Sequence, residues 1–283
     1  MNPRTLLFLG IAVLTSCTPV NRIVYRANPV NLPGLTEKGD SRITVDGGFN
    51  LKFDHTSTVS GADVQGAYAV SKRITLLGAY SGRKGDDQGF NDAYHYFGNN
   101  RYFSMDTAGI HYQNNTWELG AAYMIRFSRH AYLSLSGGGG GGDFHIDDWG
   151  AEHGTPYRCF LDAHQRALFV QPAMYFKSHW VEVGVGVKLS GTYYSRVHTN
   201  YPDSLQVDFV VNNLQGKTMY MVQPFWIFRV SPHLSWLQLD IQGSTNIGSN
   251  NGSSAVTYYF CYFNGSVGVS IYPTRLLNRL THR

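Results

Sequence analysis

The chain is short of charge, short of cysteine and free of long apolar runs, and each shortage removes a class of protein. Asp, Glu, Lys and Arg make up 15% of the 283 residues, against roughly 25% in soluble domains. No stretch approaches 18 consecutive apolar residues, so the sequence offers no transmembrane helix. The three cysteines, Cys17, Cys159 and Cys261, show no zinc-ligand spacing. An oxidising envelope would permit a bridge between Cys159 and Cys261, but they sit in segments far apart in strand order, and two separate thiols are expected. The net charge of +4 is small and scattered, which argues against nucleic acid as a partner.

What the chain has is aromatic residues, 14% of the total with 19 Tyr and 16 Phe, together with 31 Gly. That mixture suits twisted strands, interface girdles and turns better than helices. Trp180 to Ser190 shows the pattern most clearly. Val181, Val183, Val185, Val187 and Leu189 fall on one side of an extended strand, and Trp180, Glu182, Gly184, Gly186, Lys188 and Ser190 on the other. An apolar row opposite charges and glycines is what a strand needs between lipid and a polar lumen.

The same alternation marks nine more segments: Arg42 to Phe53, Asp63 to Val70, Ile74 to Ser81, Trp117 to Phe127, Tyr132 to Ser136, Leu168 to Phe176, Tyr220 to Phe228, Trp236 to Gln242 and Ser266 to Ile271. The fold expected is all-β, an antiparallel up-and-down transmembrane β-barrel of about ten strands. Eight or twelve are the neighbouring counts, with Tyr102 to Gln113 and Leu205 to Val211 as optional strands. Pro172 and Pro224, at one phase in two strands, suggest a shared bulge. A soluble barrel or sandwich is the alternative; continuous apolar rows and an export signal count against it.

The connections alternate in length. Ser71–Arg73, Ser128–His130, Lys177–His179 and Ser231–His233 are short, whereas Gly82–Thr116, Asp143–Arg166, Gly191–Thr218 and Ser244–Tyr262 are long and polar. Short periplasmic turns and long outer loops are the asymmetry of outer-membrane barrels. At the N-terminus, Arg4 and the apolar run Leu6 to Leu14 form an export signal. Leu14-Thr15-Ser16-Cys17 has the shape of a bacterial lipobox, with Cys17 acylated. The expected division is a signal peptide at 1–16, a periplasmic tether at 17–40, the barrel at 41–273 and a basic tail at 274–283. In that tail Arg275, Arg279 and Arg283 recur at four-residue spacing, giving either a short surface helix or a frayed end.

Asn28-Pro29-Val30-Asn31-Leu32-Pro33, Thr36-Glu37-Lys38-Gly39-Asp40 and Gln65-Gly66-Ala67-Tyr68-Ala69-Val70 resemble uncharacterised Bacteroidetes outer-membrane β-barrel lipoproteins. The resemblance spans about Cys17 to Tyr80. It implies a place and a fold, and brings no shared activity. The chain departs from common barrel practice in ending past Tyr272-Pro273 with a basic tail instead of a terminal aromatic.

The candidate site residues fall into two groups. Arg42, Lys52, Arg126 and Lys188 are set against Asp46, Asp63, Glu118, Glu182 and Asp240 on the lumen face. Near-balance of sign points to a salt-bridged, filled lumen, where a selective pore would show one dominant sign. On the loops, His145, Asp147, Asp148 and His164 are a speculative catalytic or binding site. No cofactor or metal is expected. The expected partners are outer-membrane lipids, the barrel-insertion and lipoprotein-export machineries, and a surface ligand of unspecified kind. The function expected is a non-catalytic, lipid-anchored barrel of the bacterial outer membrane, in surface interaction, adhesion or envelope integrity. The alternatives are a small-solute channel and an outer-membrane hydrolase.

Overall fold

The computed structural model describes residues 19–20, 28–52, 55–91, 95–97, 100–102, 107–152, 154–202, 214–231, 234–249 and 263–281. Ten long antiparallel strands close into a barrel: β1 (Ser41–Lys52), β2 (His55–Ala69), β3 (Ile74–Asn91), β4 (Thr107–Arg126), β5 (Ala131–Glu152), β6 (Thr155–Lys177), β7 (Val181–Thr199), β8 (Thr218–Val230), β9 (Leu237–Thr245) and β10 (Phe263–Ile271). Each pairs with the next in sequence, and β10 returns to β1 from Ile271↔Ile43 to Phe263↔Leu51. Closure leaves no sheet edge within the barrel wall. A helix, α1 (Pro273–Thr281), follows the last strand. The basic tail is therefore helical, with Leu277 and Leu280 exposed on it. No described helix is long and apolar enough to cross a membrane.

Side chains alternate across the wall as the sequence pattern requires. Ile43, Val45, Val64, Leu76, Leu119, Leu135, Val170, Val185, Leu239 and Val269 are exposed on the outside, while Thr44, Asp63, Gln65, Glu182 and Asp240 are buried inside. Exposed Tyr68, Tyr123, Phe127, Phe176 and Trp180 ring the end that carries the short turns. Tyr80, Trp117, Tyr193 and Tyr220 ring the other side of the apolar belt. Tyr123 lies six positions on from Trp117, about 20 Å along a strand. Two aromatic girdles around an apolar band is the pattern of a barrel wall between two interfaces.

Two features depart from the sequence expectation. Much of what reads as long polar loop is strand: β3 and β4 stay paired to Phe90↔Thr107, and β5 and β6 to Glu152↔Thr155. Their alternation changes sense on the way up. On β5 the outward residues run from Leu133 and Leu135, through Gly137, Gly139 and Gly141, to Asp143, His145 and Asp147, while the inward ones change from Ser134 and Ser136 to Phe144 and Ile146. On β6 outward Met174, Val170 and Leu168 give way to Arg166, His164 and Asp162. The protruding part buries its own apolar core of Ile110, Tyr112, Phe144, Ile146, Leu161, Tyr194 and Met219. Cys159 belongs to that core, and Cys261 lies outside the described residues. Neither Pro172 nor Pro224 shifts the register of its strand pairs, so the shared bulge is absent. The irregularity in β7 lies instead between Ser195 and His198, where Arg196 takes a φ of 51°. Of the optional strands, residues 107–113 belong to β4, and 205–211 lie outside the described residues.

The second departure is the stretch expected to hang below the barrel as a tether. Residues 28–35 run through the lumen, with Val30, Leu32 and Leu35 essentially inaccessible. Before them, Pro19–Val20 pairs in parallel with Phe90–Asn91 at the long-hairpin end. After them, Gly39 and Asp40 bond to Ala69 at the short-turn end. A Pro/Asn-rich stretch without alternation suits this place. It forms no sheet ladder, so its backbone groups are left for lumen side chains to satisfy.

Candidate functional site

The lumen is the first place where sequence-selected residues meet. Near the short turns, Arg229 donates from Nη1 to Glu182 Oε1 at 2.6 Å and from Nε to Asp240 Oδ2 at 2.6 Å. Arg42 lies beside them but spends its donors on the threaded segment: Nη1 to the carbonyls of Leu32 (2.5 Å) and Pro33 (3.0 Å), and Nη2 to Asn31 Oδ1 (2.8 Å). Lys177 Nζ donates to the Gly34 carbonyl at 2.6 Å. Higher up, Asn31 Nδ2 reaches the carbonyls of Gly66 and Gly78 at 2.9 and 3.0 Å. Gln65 donates to Asp46 at 3.0 Å, Arg83 pairs with Asp63, and Lys188 grips both oxygens of Glu118 at 2.7 Å. Thr116 and Gln223 hold Asn28 at the top of the threaded stretch.

Arg42, Asp46, Asp63, Glu118, Glu182, Lys188 and Asp240 therefore all sit in the lumen. Arg126 does not join them: it lies exposed at the short-turn rim, donating to the carbonyls of Ser128 and Arg129. It is the last residue of its strand, so its lumen-facing parity points it past the barrel's end. The side chain of Lys52 lies outside the described residues. Sequence reasoning missed Arg83, Arg229 and Lys177. Arg83 falls in a stretch read as loop, Arg229 one residue past the segment counted for β8, and Lys177 in a presumed turn. Continuing the period-two count by a few residues would have found all three.

The second place is the outer face of the protruding sheet. Strand register sets His111 opposite both Asp86 and Asp147, His145 opposite Asp162, and Asp143 opposite His164. The pairs are made: His111 Nδ1 lies 2.8 Å from Asp86, and His164 Nδ1 2.7 Å from Asp143. His145 uses both nitrogens, Nδ1 at 2.5 Å from Asp162 and Nε2 at 3.2 Å from Asp147. Partial burial disfavours a charge on His145, but the hydrogen bonds to Asp162 and Asp147 outweigh it and hold its pKa above the ordinary histidine value. An imidazolium with both N–H groups engaged has no lone pair with which to act as a base. Asp148 is on the other face, buried, accepting hydrogen bonds from Tyr157 and Tyr201. The four residues singled out from sequence thus do not assemble into one site. His145 and Asp147 meet, His164 pairs elsewhere on the same face, and Asp148 anchors the core beneath. Among the described residues no group of three or more His, Cys, Asp or Glu side chains is placed to hold a metal ion.

No family model matches the chain, and no curated protein does. Among solved structures it is similar to the outer-membrane protease OmpT from Escherichia coli, at 11% identity over 83% of this chain and 94% of that one, TM-score 0.42. It is also similar to an outer-membrane channel from Pseudomonas putida F1, at 10% identity over 87% and 100% of the two chains, TM-score 0.41. Ail, the attachment invasion locus protein of Yersinia pestis, is similar at 12% identity over 57% and 97%, TM-score 0.29. A protease, a channel and an attachment protein stand side by side here, and likenesses this distant carry no activity across.

Proposed function

We propose that this protein is a plugged barrel of the bacterial outer membrane, acting by contact through its protruding sheet rather than by conduction or catalysis. The observation that supports a closed lumen is the threaded stretch 28–35 and the charged side chains around it. Two of the cavities beside it, one lined by Pro29, Val30, Arg83 and Phe225 and one by Asn31, Leu77, Phe169 and Gln171, hold about 10 Å³ each, no more than a single water. The membrane reading is supported by the change of sense along β4, β5 and β6. One outward face is apolar in its lower part and charged in its upper part, which fits a wall standing in two different solvents.

In this proposal the short turns face the periplasm and the long hairpins the outside. Cys17 lies outside the described residues, and its acylation remains part of the proposal. Pro19–Val20, two residues on, sit at the long-hairpin end. We propose that an acyl group on Cys17 anchors at that same end, against the periplasmic tether expected at 17–40. A small-solute channel would need the threaded stretch to leave. A hydrolase would need His145 to give up one of its carboxylates. Purified protein in planar bilayers tests the proposal: no steady conductance is expected, whereas replacing residues 28–35 with a Gly/Ser linker should produce steps. Steady steps from the intact protein would overturn the closed-lumen reading.

A further inference from the structure

We infer that the outer wall over β4 to β8 carries a binding site for a phosphorylated, multiply acylated lipid. The inference rests on the membrane reading and goes beyond it to one position on the wall. In-register pairing lines up a row at the upper girdle: Trp117 beside Gly141, Gly141 beside Arg166, Arg166 beside Tyr193. One row lower come Leu119, Gly139, Leu168, Gly191 and Tyr220. Large side chains flanking bare glycine backbone leave an open groove of about 1050 Å³, with Arg166 and His164 at its polar edge. A second groove of about 480 Å³ adjoins it, sharing Leu168, Gly191 and Tyr220 and continuing over Val170 and Val222. Two contiguous apolar furrows fit more than one acyl chain.

Charge complementarity selects the headgroup. Arg166 is exposed at the level of the aromatic girdle and makes no ion pair with a described residue. Two residues away on the same face, His164 Nδ1 lies 2.7 Å from Asp143, which stands opposite it in register. A guanidinium at the top of a greasy furrow recognises a phosphate through paired N–H donors, with acyl chains lying below. The glycines are informative too. A Cβ at Gly191 would meet only ordinary contacts, 3.5 Å from Tyr220 and 3.7 Å from Thr218. Packing of the barrel therefore does not demand glycine there, while the groove does.

The test is native mass spectrometry of the full protein released from micelles, with dioleoyl phosphatidic acid and dioleoyl phosphatidylcholine as probes. The intact protein should retain the phosphate monoester lipid about tenfold better than the zwitterionic one. Arg166→Gln should abolish the preference while keeping weak retention of both, and Gly191→Leu should lower retention of both by filling the shared furrow. Equal retention of the two lipids by the intact protein, or an undiminished preference in Arg166→Gln, would overturn the site. Heat-modifiable gel mobility of each variant shows that the barrel is folded. A chain that is folded and monomeric without detergent would overturn the membrane reading itself, a failure separate from that of the groove.

Discussion

At the scale of single residues, the lumen network and the glycine run make opposite demands. Arg229 neutralises Glu182 and Asp240 with all three side chains inaccessible. Truncating it to Met strands two buried carboxylates, and destabilisation of about 3–5 kcal/mol is expected in urea titrations of the folded barrel. An unchanged midpoint would show that water reaches the network. In the run Gly137–Gly142, the first two glycines differ in kind. A Cβ at Gly138 would overlap the backbone of Leu119 and Gly120, whereas one at Gly137 lies at an ordinary 3.5 Å from the Phe169 carbonyl. Gly138→Ala should cost about 1–3 kcal/mol through overpacking and Gly137→Ala almost nothing, measured in the same titrations. The positions of Arg42, Asp63, Glu182, Lys188 and Asp240 were legible because period-two alternation leaves each only one face. Arg229 and Arg83 were hidden by where the count stopped, and Arg126 shows that parity alone cannot tell a lumen from its rim.

At the scale of elements, the threaded stretch is the part no periodicity revealed. Residues 28–35 lack alternation because they pair with side chains from around the lumen instead of with one neighbouring strand, so their sequence resembles a linker. Leu32 is fully buried against Val30, Tyr175 and Ile227. Leu32→Ala should destabilise by about 2–5 kcal/mol, a loss that a dangling tether would not show. The hairpin strands were misread for another reason: their polar residues face out and their apolar ones in, the inverse of the segments below. His145 gives this region a pH dependence. With its folded pKa raised above the ordinary 6.5, its stabilisation is complete below that value and fades as pH rises through the folded one. The titratable neighbours on this face are Asp147 and Asp162, with His111, Asp143, His164 and His198 beyond. Amide protection factors at Phe144–Asp148 should be higher near about pH 5.5 than near about pH 8.5, and Asp162→Asn should shrink the difference. Equal protection at both would show that the His/Asp pairs leave the hairpin's stability unchanged.

At the scale of the whole molecule, ten strands close a wall whose outer face changes from hydrocarbon-like to water-like along continuous strands, around a lumen occupied by the chain's own N-terminal segment. The strand count and the apolar belt were legible because alternation over many segments admits few folds. The plug and the height of the protruding sheet were not, since both depend on which residues meet across the barrel. The most direct test of the two-solvent wall is spin-label accessibility in liposomes, with single labels at Val185, Leu168 and Val269 on the belt and at His164 and Asp147 above it. Belt labels should collide readily with oxygen and scarcely with a water-soluble nickel chelate, and the upper labels should show the reverse. Nickel reaching Val185 and Val269 as freely as His164 would contradict the account.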